Sequence, residues 1–386
     1  MPTLMNRRDW LRTGAIVTGG LPFLSSFGSF AAPVRTSNPN RQLSDAEFAR
    51  LAPPELKARL FANENPFGPS EKARKAIIDH LSTSYQYAFM HFDTLVQKVL
   101  AHEGIQKDML LFSSGSSPLL MAAAIAFCRE GGNLVTGDPT YDDLPEQAER
   151  FGATCKKVPL TADYKLDLDA MEKAVDANTK LVYICNPNNP TATAVDIAKL
   201  QSFCERVSKK TMVMVDEAYI DYMPDPAAAT MIAAVKKGQN IIVARTFSKL
   251  YGFAGLRVGY MIALPETVKK LEVLTPGMFS ISGPAIHAAT AAYQDKEFLS
   301  GALAKTNESK AFLYKTLTAE GYSYIPSVAN FVMFPVKMDS ERFVQEMMKR
   351  GVGVRPWKFG GKEWCRVSIG RMDEMEAFAA AFKEIS

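Results

Sequence analysis

The sequence predicts an α/β protein: a large domain built on a mostly parallel sheet covered by helices, followed by a smaller α+β domain at the C-terminus. Three observations point there. Short apolar runs alternate with longer, helix-like segments between residues 110 and 263. These runs are continuously apolar, as strands covered on both faces by helices require. A second, shorter series of runs and helical segments then follows beyond residue 320. With 386 residues and 47% hydrophobic content, the chain can bury a large core, and its length favours two domains.

Taken in order, the first segment is residues 1–31. Asn6-Arg7-Arg8-Asp9-Trp10-Leu11-Arg12 precedes a mildly apolar stretch over 14–30, and Ser29-Phe30-Ala31 offers small residues for cleavage after Ala31. This reads as a twin-arginine export signal, which places the mature protein outside the cytoplasm, in the periplasm. The alternative is a basic amphipathic helix. The stretch is too short and too rich in glycine and serine for a stable membrane span, which needs about 20 strongly apolar residues. Residues 32–60 read as a linker rich in Pro, Asn, Ser and Thr, then a short helical arm over 43–60 opened by the capping-box pattern Ser44-Asp45-Ala46-Glu47. The large domain is expected over 61–270, with strands at 110–113, 133–136, 154–158, 181–185, 212–215, 241–245 and 258–263. The small domain is expected over 271–386. A helix at 266–274 and a long helix running from 284 past 293 lead to strands at 322–325, 331–334, 352–355 and 364–369, with helices at 340–350 and 373–384.

The chemistry centres on Lys249, in Thr246-Phe247-Ser248-Lys249-Leu250-Tyr251-Gly252-Phe253-Ala254-Gly255-Leu256-Arg257. A lysine flanked by hydroxyls and followed by a glycine-spaced arginine suits a Schiff base to pyridoxal phosphate. Thr246, Ser248 and Arg257 can hold a phosphate dianion together, and a neighbouring positive charge favours the neutral amine that attacks an aldehyde. Alone, Lys249 reads as a surface lysine; three other segments change that. Met212-Val213-Met214-Val215-Asp216-Glu217-Ala218-Tyr219 ends a strand in carboxylates and a phenol, at the edge where open α/β sheets bind ligands. Asp216 there can keep a pyridine nitrogen protonated, although as a single residue it reads equally well as a helix cap. Leu181-Val182-Tyr183-Ile184-Cys185-Asn186-Pro187-Asn188-Asn189-Pro190-Thr191 stops a second strand at two Asn-Pro steps, leaving the Asn189 amide free to donate to a ring oxygen. Leu110-Leu111-Phe112-Ser113-Ser114-Gly115-Ser116-Ser117-Pro118 joins a strand to a helix start, a natural anion site.

These segments, in this order, resemble a class I/II aminotransferase of fold-type I, dependent on pyridoxal 5'-phosphate, and within it the histidinol-phosphate aminotransferase-like group. The likeness extends through Phe61-Ala62-Asn63-Glu64-Asn65-Pro66-Phe67-Gly68-Pro69, Asp138-Pro139-Thr140-Tyr141 and Trp364-Cys365-Arg366-Val367-Ser368-Ile369-Gly370, from about residue 43 almost to the C-terminus. It implies that Lys249 carries the cofactor and moves the proton between substrate α-carbon and cofactor C4′. Asp216 would pair with the pyridine nitrogen, Tyr219 and Asn189 with the phenolate oxygen, and Tyr141 would stack on the ring. Ser116, Ser117, Thr246, Ser248 and Arg257 would hold the phosphate. Arg366 would clamp the substrate carboxylate in a bidentate pair, with Asn65 beside it and Arg355 placed for a distal substrate phosphate. The resemblance also implies a homodimer, in which Tyr87 would reach the neighbouring subunit's cofactor.

Three departures stand out. Thr191-Ala192-Thr193 replaces the usual Thr-Gly, so the loop is expected to be reshaped. Pro118 replaces an acidic residue and removes an N–H donor. Tyr85-Gln86-Tyr87-Ala88-Phe89-Met90-His91-Phe92 replaces the familiar Tyr-Pro-Asp segment. The expected reaction moves an amino group between an amino acid and a 2-oxo acid. Lyase, decarboxylase, racemase or oxidase chemistry at the same site, or a non-catalytic binding protein on the same fold, stay open. An exported enzyme is expected to use a donor other than histidinol phosphate, one with an aromatic, imidazole or other extended side chain. The net charge of +4 gives no reason to expect a nucleic-acid or membrane partner. The five cysteines lack metal spacing, and His80, His91, His102 and His287 are scattered along the chain, so no metal site is expected.

Overall fold

The computed structural model describes residues 56–88 and 90–386; the expected export signal, the linker and most of the 43–60 arm lie outside them. Twelve strands occur among the described residues: β1 (Ala58–Arg59), β2 (Leu110–Ser113), β3 (Asn133–Asp138), β4 (Thr154–Pro159), β5 (Thr179–Cys185), β6 (Met212–Asp216), β7 (Ile241–Thr246), β8 (Gly259–Ile262), β9 (Phe331–Pro335), β10 (Val352–Gly353), β11 (Arg355–Phe359) and β12 (Lys362–Ser368). Seven form one sheet in the order β2-β8-β7-β6-β5-β3-β4, parallel throughout except for β8, which runs antiparallel to both its neighbours.

Both faces of the central strands β5, β6 and β7 are buried, which is why they read as apolar runs, whereas the edge strand β4 carries Lys156 and Lys157 and is mostly exposed or half-buried. Successive residues point to opposite faces, and the cores divide accordingly. Val182, Ile184, Val213, Val215, Ile241 and Val243 enter one core, and Leu181, Tyr183, Cys185, Met214, Ile242 and Ala244 enter the other. Helices Phe92–Glu103, Ile197–Val207 and Gly283–Ala292 cover the first face; Ser117–Cys128, Asp143–Arg150 and Pro265–Glu272 cover the second. Each fully buried aliphatic side chain contributes about 1.5–3 kcal/mol, so this layering outweighs local strand or helix preference.

A third core surrounds the antiparallel sheet β11-β12-β9 and helices Ser340–Lys349 and Met372–Lys383. Ala58 and Leu60 join it, and β1 pairs in parallel with β10. The end of the expected helical arm is therefore a strand, because Gly351 and Gly353 carbonyls receive the N–H groups of Lys57, Ala58 and Leu60. Three other elements differ from expectation. The 322–325 strand is reduced to one bridge, Ile325 to Met333. The 352–355 strand is split at Val354 between two sheets. The long helix from 284 is two helices, Gly283–Ala292 and Lys296–Ala319, broken where Gln294 takes a left-handed φ of 67°. Asp295, beside the break, accepts an ion pair from Lys72 at 2.8 Å.

Three of the four histidines scattered in sequence come together in space, while His102 packs edge-on against Tyr293. His80 and His287 stack with ring centroids 3.4 Å apart, and His91 lies 4.6 Å from His287. No group of three or more His, Cys, Asp or Glu among the described residues is placed to hold a metal ion. All five cysteines are free thiols, and no described helix is long and apolar enough to cross a membrane.

Candidate active site

The parallel strands β5, β6 and β7 end side by side, and the chain leaves each at a polar residue. Asp216 is the last residue of β6 and is 2% exposed. Its carboxylate accepts from the Tyr183 hydroxyl at 3.1 Å and from the Ala218 N–H at 3.1 Å. Burial pushes its pKa up to about 6; the two hydrogen bonds and the positive charge of Lys249 oppose the rise. A buried carboxylate held in this way is poised to receive a cationic N–H. The neighbouring Glu217 serves a different purpose: it is paired with Arg245 at 2.7 Å and accepts from Thr230 and Met231, which anchors the turn.

Lys249 follows β7. Its Nζ lies 5.2 Å from the centre of the Tyr219 ring and donates to the Asn63 carbonyl at 3.4 Å. Thr246 donates to Ser248 Oγ at 3.0 Å, and Arg257 Nη1 donates to the same oxygen at 3.2 Å. Arg257 Nη2 also reaches the Ser114 carbonyl at 3.5 Å, joining this cluster to the turn after β2. Two glycines make the approach possible. A Cβ on Gly115 would run into the Arg257 guanidinium, and a Cβ on Gly259 would meet Ser116 N at 2.7 Å. Gly115 also holds φ at 85°. Ser116 caps the helix Ser117–Cys128 without using its side chain, and Ser117 donates to Asp143. Thr246, Ser248, Arg257 and Ser116 thus surround one helix N-terminus, a setting that favours an anion.

Arg366 on β12 forms the opposite wall. It is 4% exposed; Nη1 donates to Asn189 Oδ1 at 2.6 Å and Nη2 to the Phe61 carbonyl at 2.7 Å. Its buried Nε has no hydrogen-bond partner. Burial and, second, the charge of Arg355 lower its pKa to about 10. Arg355 sits directly across the β11–β12 pair from Arg366. Asn189, with its oxygen engaged by Arg366, keeps its NH₂ for another acceptor. Tyr141 is held well above the usual phenol range by burial, then by the charges of Asp143, Asp216 and Tyr219, which places its ring near these groups.

Two expected residues are placed differently from the rest. The Asn65 amide is used by the scaffold, donating to the Leu250 carbonyl at 2.6 Å and accepting from Phe67 N at 3.0 Å. Tyr87 is 81% exposed, unlike the buried groups around Lys249. Sequence reasoning assigned no role to Asn63, Tyr183 or Ser368, although all three lie inside the runs 61–69, 181–191 and 364–370 that carry the resemblance. A left-handed Asn63 (φ 54°) and a tyrosine inside a strand carry no local signal of the partners they meet.

The loop after β5 also answers the departure at Ala192. The loop is closed as a turn by Asn188 N–H to the Thr193 carbonyl and Ala192 N–H to the Asn188 carbonyl, both 2.8 Å. Ala192 accepts a left-handed φ of 59° and buries its methyl against Tyr219, Leu250 and Phe331.

The model for "aminotransferase class I and II" matches residues 57–382. The chain belongs to this family. It is 35% identical over 330 residues to a histidinol-phosphate aminotransferase of Moorella thermoacetica, covering 85% of each chain. A second relative of that name, from Halalkalibacterium halodurans, is 34% identical over 332 residues, covering 86% of this chain and 89% of the relative. Among solved structures, the histidinol-phosphate aminotransferase of Sinorhizobium meliloti in complex with pyridoxal-5'-phosphate superposes with a TM-score of 0.82 at 26% identity, covering 94% of this chain and 98% of the other. The protein is an aminotransferase of fold-type I, and its cofactor is pyridoxal 5'-phosphate. The residues present fit that group: a buried acceptor at Asp216, an anion cradle opened by Gly115 and Gly259, and a lysine between them.

Proposed function

We propose that this aminotransferase takes the amino group from an amino acid with an extended side chain and passes it to a 2-oxo acid, working through Lys249. The cofactor supplies the electron sink; the chain's residues orient and move protons around it. In this reading Lys249 carries the cofactor and shuttles the proton. Asp216 holds the pyridine nitrogen, Tyr219 and Asn189 hold the phenolate oxygen, and Tyr141 covers the ring. The phosphate rests among Ser116, Ser117, Thr246, Ser248 and Arg257. Arg366 receives the substrate carboxylate, and the single observation that carries this role is its buried, unpartnered Nε beside Asn189. Purified Lys249→Ala should lose turnover and the absorbance of the lysine-bound cofactor; retention of both would sink the assignment.

A second donor reading, histidinol phosphate, is favoured by the names of the relatives and by Arg355 facing Arg366, since two guanidinium groups suit a dianion. Assaying histidinol phosphate beside histidine and aromatic amino acids, with and without 2-oxoglutarate, separates the two. Turnover that ignores the oxo acid would instead mean lyase or oxidase chemistry.

Export by the twin-arginine route, to the periplasm, is part of the proposal and rests on Asn6-Arg7-Arg8-Asp9-Trp10-Leu11-Arg12. It favours the extended amino acid over a biosynthetic intermediate. Replacing Arg7 and Arg8 with lysine should hold the protein in the cytoplasmic fraction; unchanged fractionation would remove this part. We also propose a homodimer covering the exposed apolar face that includes Ile78, Leu81, Tyr85, Tyr87 and Met90, all more than 60% exposed. Sedimentation of the purified protein as a monomer would refute it.

A further inference from the structure

We propose that Asn63 is a positioning residue that aims the hydroxyl proton of Tyr219 at the cofactor's ring oxygen. This rests on the roles proposed above for Lys249 and Tyr219.

Asn63 is 1% exposed. Its Nδ2 donates to the Tyr219 hydroxyl at 3.0 Å, its Oδ1 accepts from Ser368 Oγ at 3.0 Å, and its backbone N–H donates to that same Ser368 oxygen at 2.8 Å. Its carbonyl accepts from Lys249 Nζ at 3.4 Å and from Asn330 Nδ2 at 3.0 Å. One residue therefore links the end of β12, two residues from the Arg366 clamp, to both proposed proton-handling groups: to Tyr219 through its side chain and to Lys249 through its backbone carbonyl.

Counting protons decides what the link does. A phenol has one proton and two acceptor lone pairs. With Asn63 Nδ2 occupying a lone pair, the Tyr219 proton stays available for another acceptor. The orientation of the amide is set by Ser368. That hydroxyl accepts from Asn63 N–H and gives its own proton to Oδ1, its one acceptor among the described residues, which turns Nδ2 toward Tyr219. The reversed amide would take the Tyr219 proton for itself, and the Ser368 proton would lose the acceptor it has here. The backbone also suits the residue: φ of 54° is tolerated by Asn, Asp and Gly and disfavoured for other side chains.

The same φ names the test variants. Asn63→Asp keeps the shape and the backbone but only accepts, so it captures the Tyr219 proton. Asn63→Gly removes the side chain without backbone strain. Ser368→Ala frees the amide to reverse, and Ser368→Thr keeps the hydroxyl. Each holoenzyme is titrated by absorbance of the bound cofactor and assayed for kcat and KM, alone and combined with Tyr219→Phe. Asn63→Asp is expected to raise the titration midpoint in the same direction as Tyr219→Phe, because a donor to the ring oxygen stabilises its deprotonated form. It should lower kcat/KM on the order of tenfold, the worth of one hydrogen bond, and should add nothing in the Tyr219→Phe background. Ser368→Ala is expected to shift the midpoint part of the way, and Ser368→Thr to restore it. A wild-type midpoint in Asn63→Asp, or full additivity with Tyr219→Phe, overturns the proposal. If Asn63→Asp does not fold, an unshifted Ser368→Ala overturns it equally. Failure of the Lys249 assignment would appear separately, as retained cofactor absorbance in Lys249→Ala.

Discussion

The burial of Asp216 has a consequence that can be measured without substrate. Folding raises its pKa from 3.8 to about 6, a shift of about two units, or about 3 kcal/mol at about 1.4 kcal/mol per unit. The sign follows from proton uptake: between these two pKa values the folded protein holds a proton that the unfolded chain has released. Stability of the cofactor-free protein therefore falls as pH rises from about 4 through about 6. Asp216→Asn removes this titration. The carboxamide oxygen can still accept from Tyr183, but its NH₂ cannot accept from Ala218 N–H, which costs about 1 kcal/mol. The variant should thus be about 1 kcal/mol less stable than wild type below pH 4 and about 2 kcal/mol more stable above pH 7. Urea unfolding of both cofactor-free proteins across this range measures the difference, and groups common to both cancel. A difference that stays constant with pH would refute the reasoning. In the loaded enzyme the order should reverse if, as proposed, the same carboxylate faces a protonated ring nitrogen.

The remaining predictions concern supports of the site. Glu217→Ala removes the hydrogen-bonded partner of buried Arg245 and leaves it only the charges of Asp221 and Glu103, so we expect a loss of about 3 kcal/mol in stability, read by chemical denaturation; Glu217→Gln should lose less. Gly115→Ala pushes a methyl into the Arg257 guanidinium and should weaken cofactor binding roughly 10- to 100-fold, the worth of one charge-assisted hydrogen bond, measured by equilibrium dialysis. Ala192→Gly relieves about 1–2 kcal/mol of left-handed strain while losing a buried methyl worth about 0.8 kcal/mol. Its melting temperature should therefore stay close to wild type, and a loss above about 2 kcal/mol would mean that the methyl's packing against Tyr219 and Phe331 dominates.

The centre of the large sheet was legible because its faces are both buried: Val182, Val213 and Val243 go to one core while Leu181, Met214 and Ile242 go to the other, so the apolar runs are unbroken and unambiguous. The small domain was less legible. Its edges are set by pairing partners distant in sequence, such as β1 with β10, and a two-residue strand has no period to detect. Gln294, which breaks the expected long helix, is an ordinary helix former locally, and no nearby proline or glycine announces the turn.

The same division holds at the site. Sequence by itself determined which side chains stand at strand ends and helix starts, because apolar runs must stop where polar chemistry begins: Asp216, Asn189, Lys249 and the Ser114-Gly115-Ser116 turn. Tertiary structure alone decided their partners. That Tyr183 would hold Asp216, that Asn189 would be gripped by Arg366, and that Asn63 would join Ser368 to Tyr219 depends on contacts between segments separated by 33, 177, 305 and 156 positions. Hydrogen bonds act over about 3 Å, and only the folded chain brings such segments within that reach.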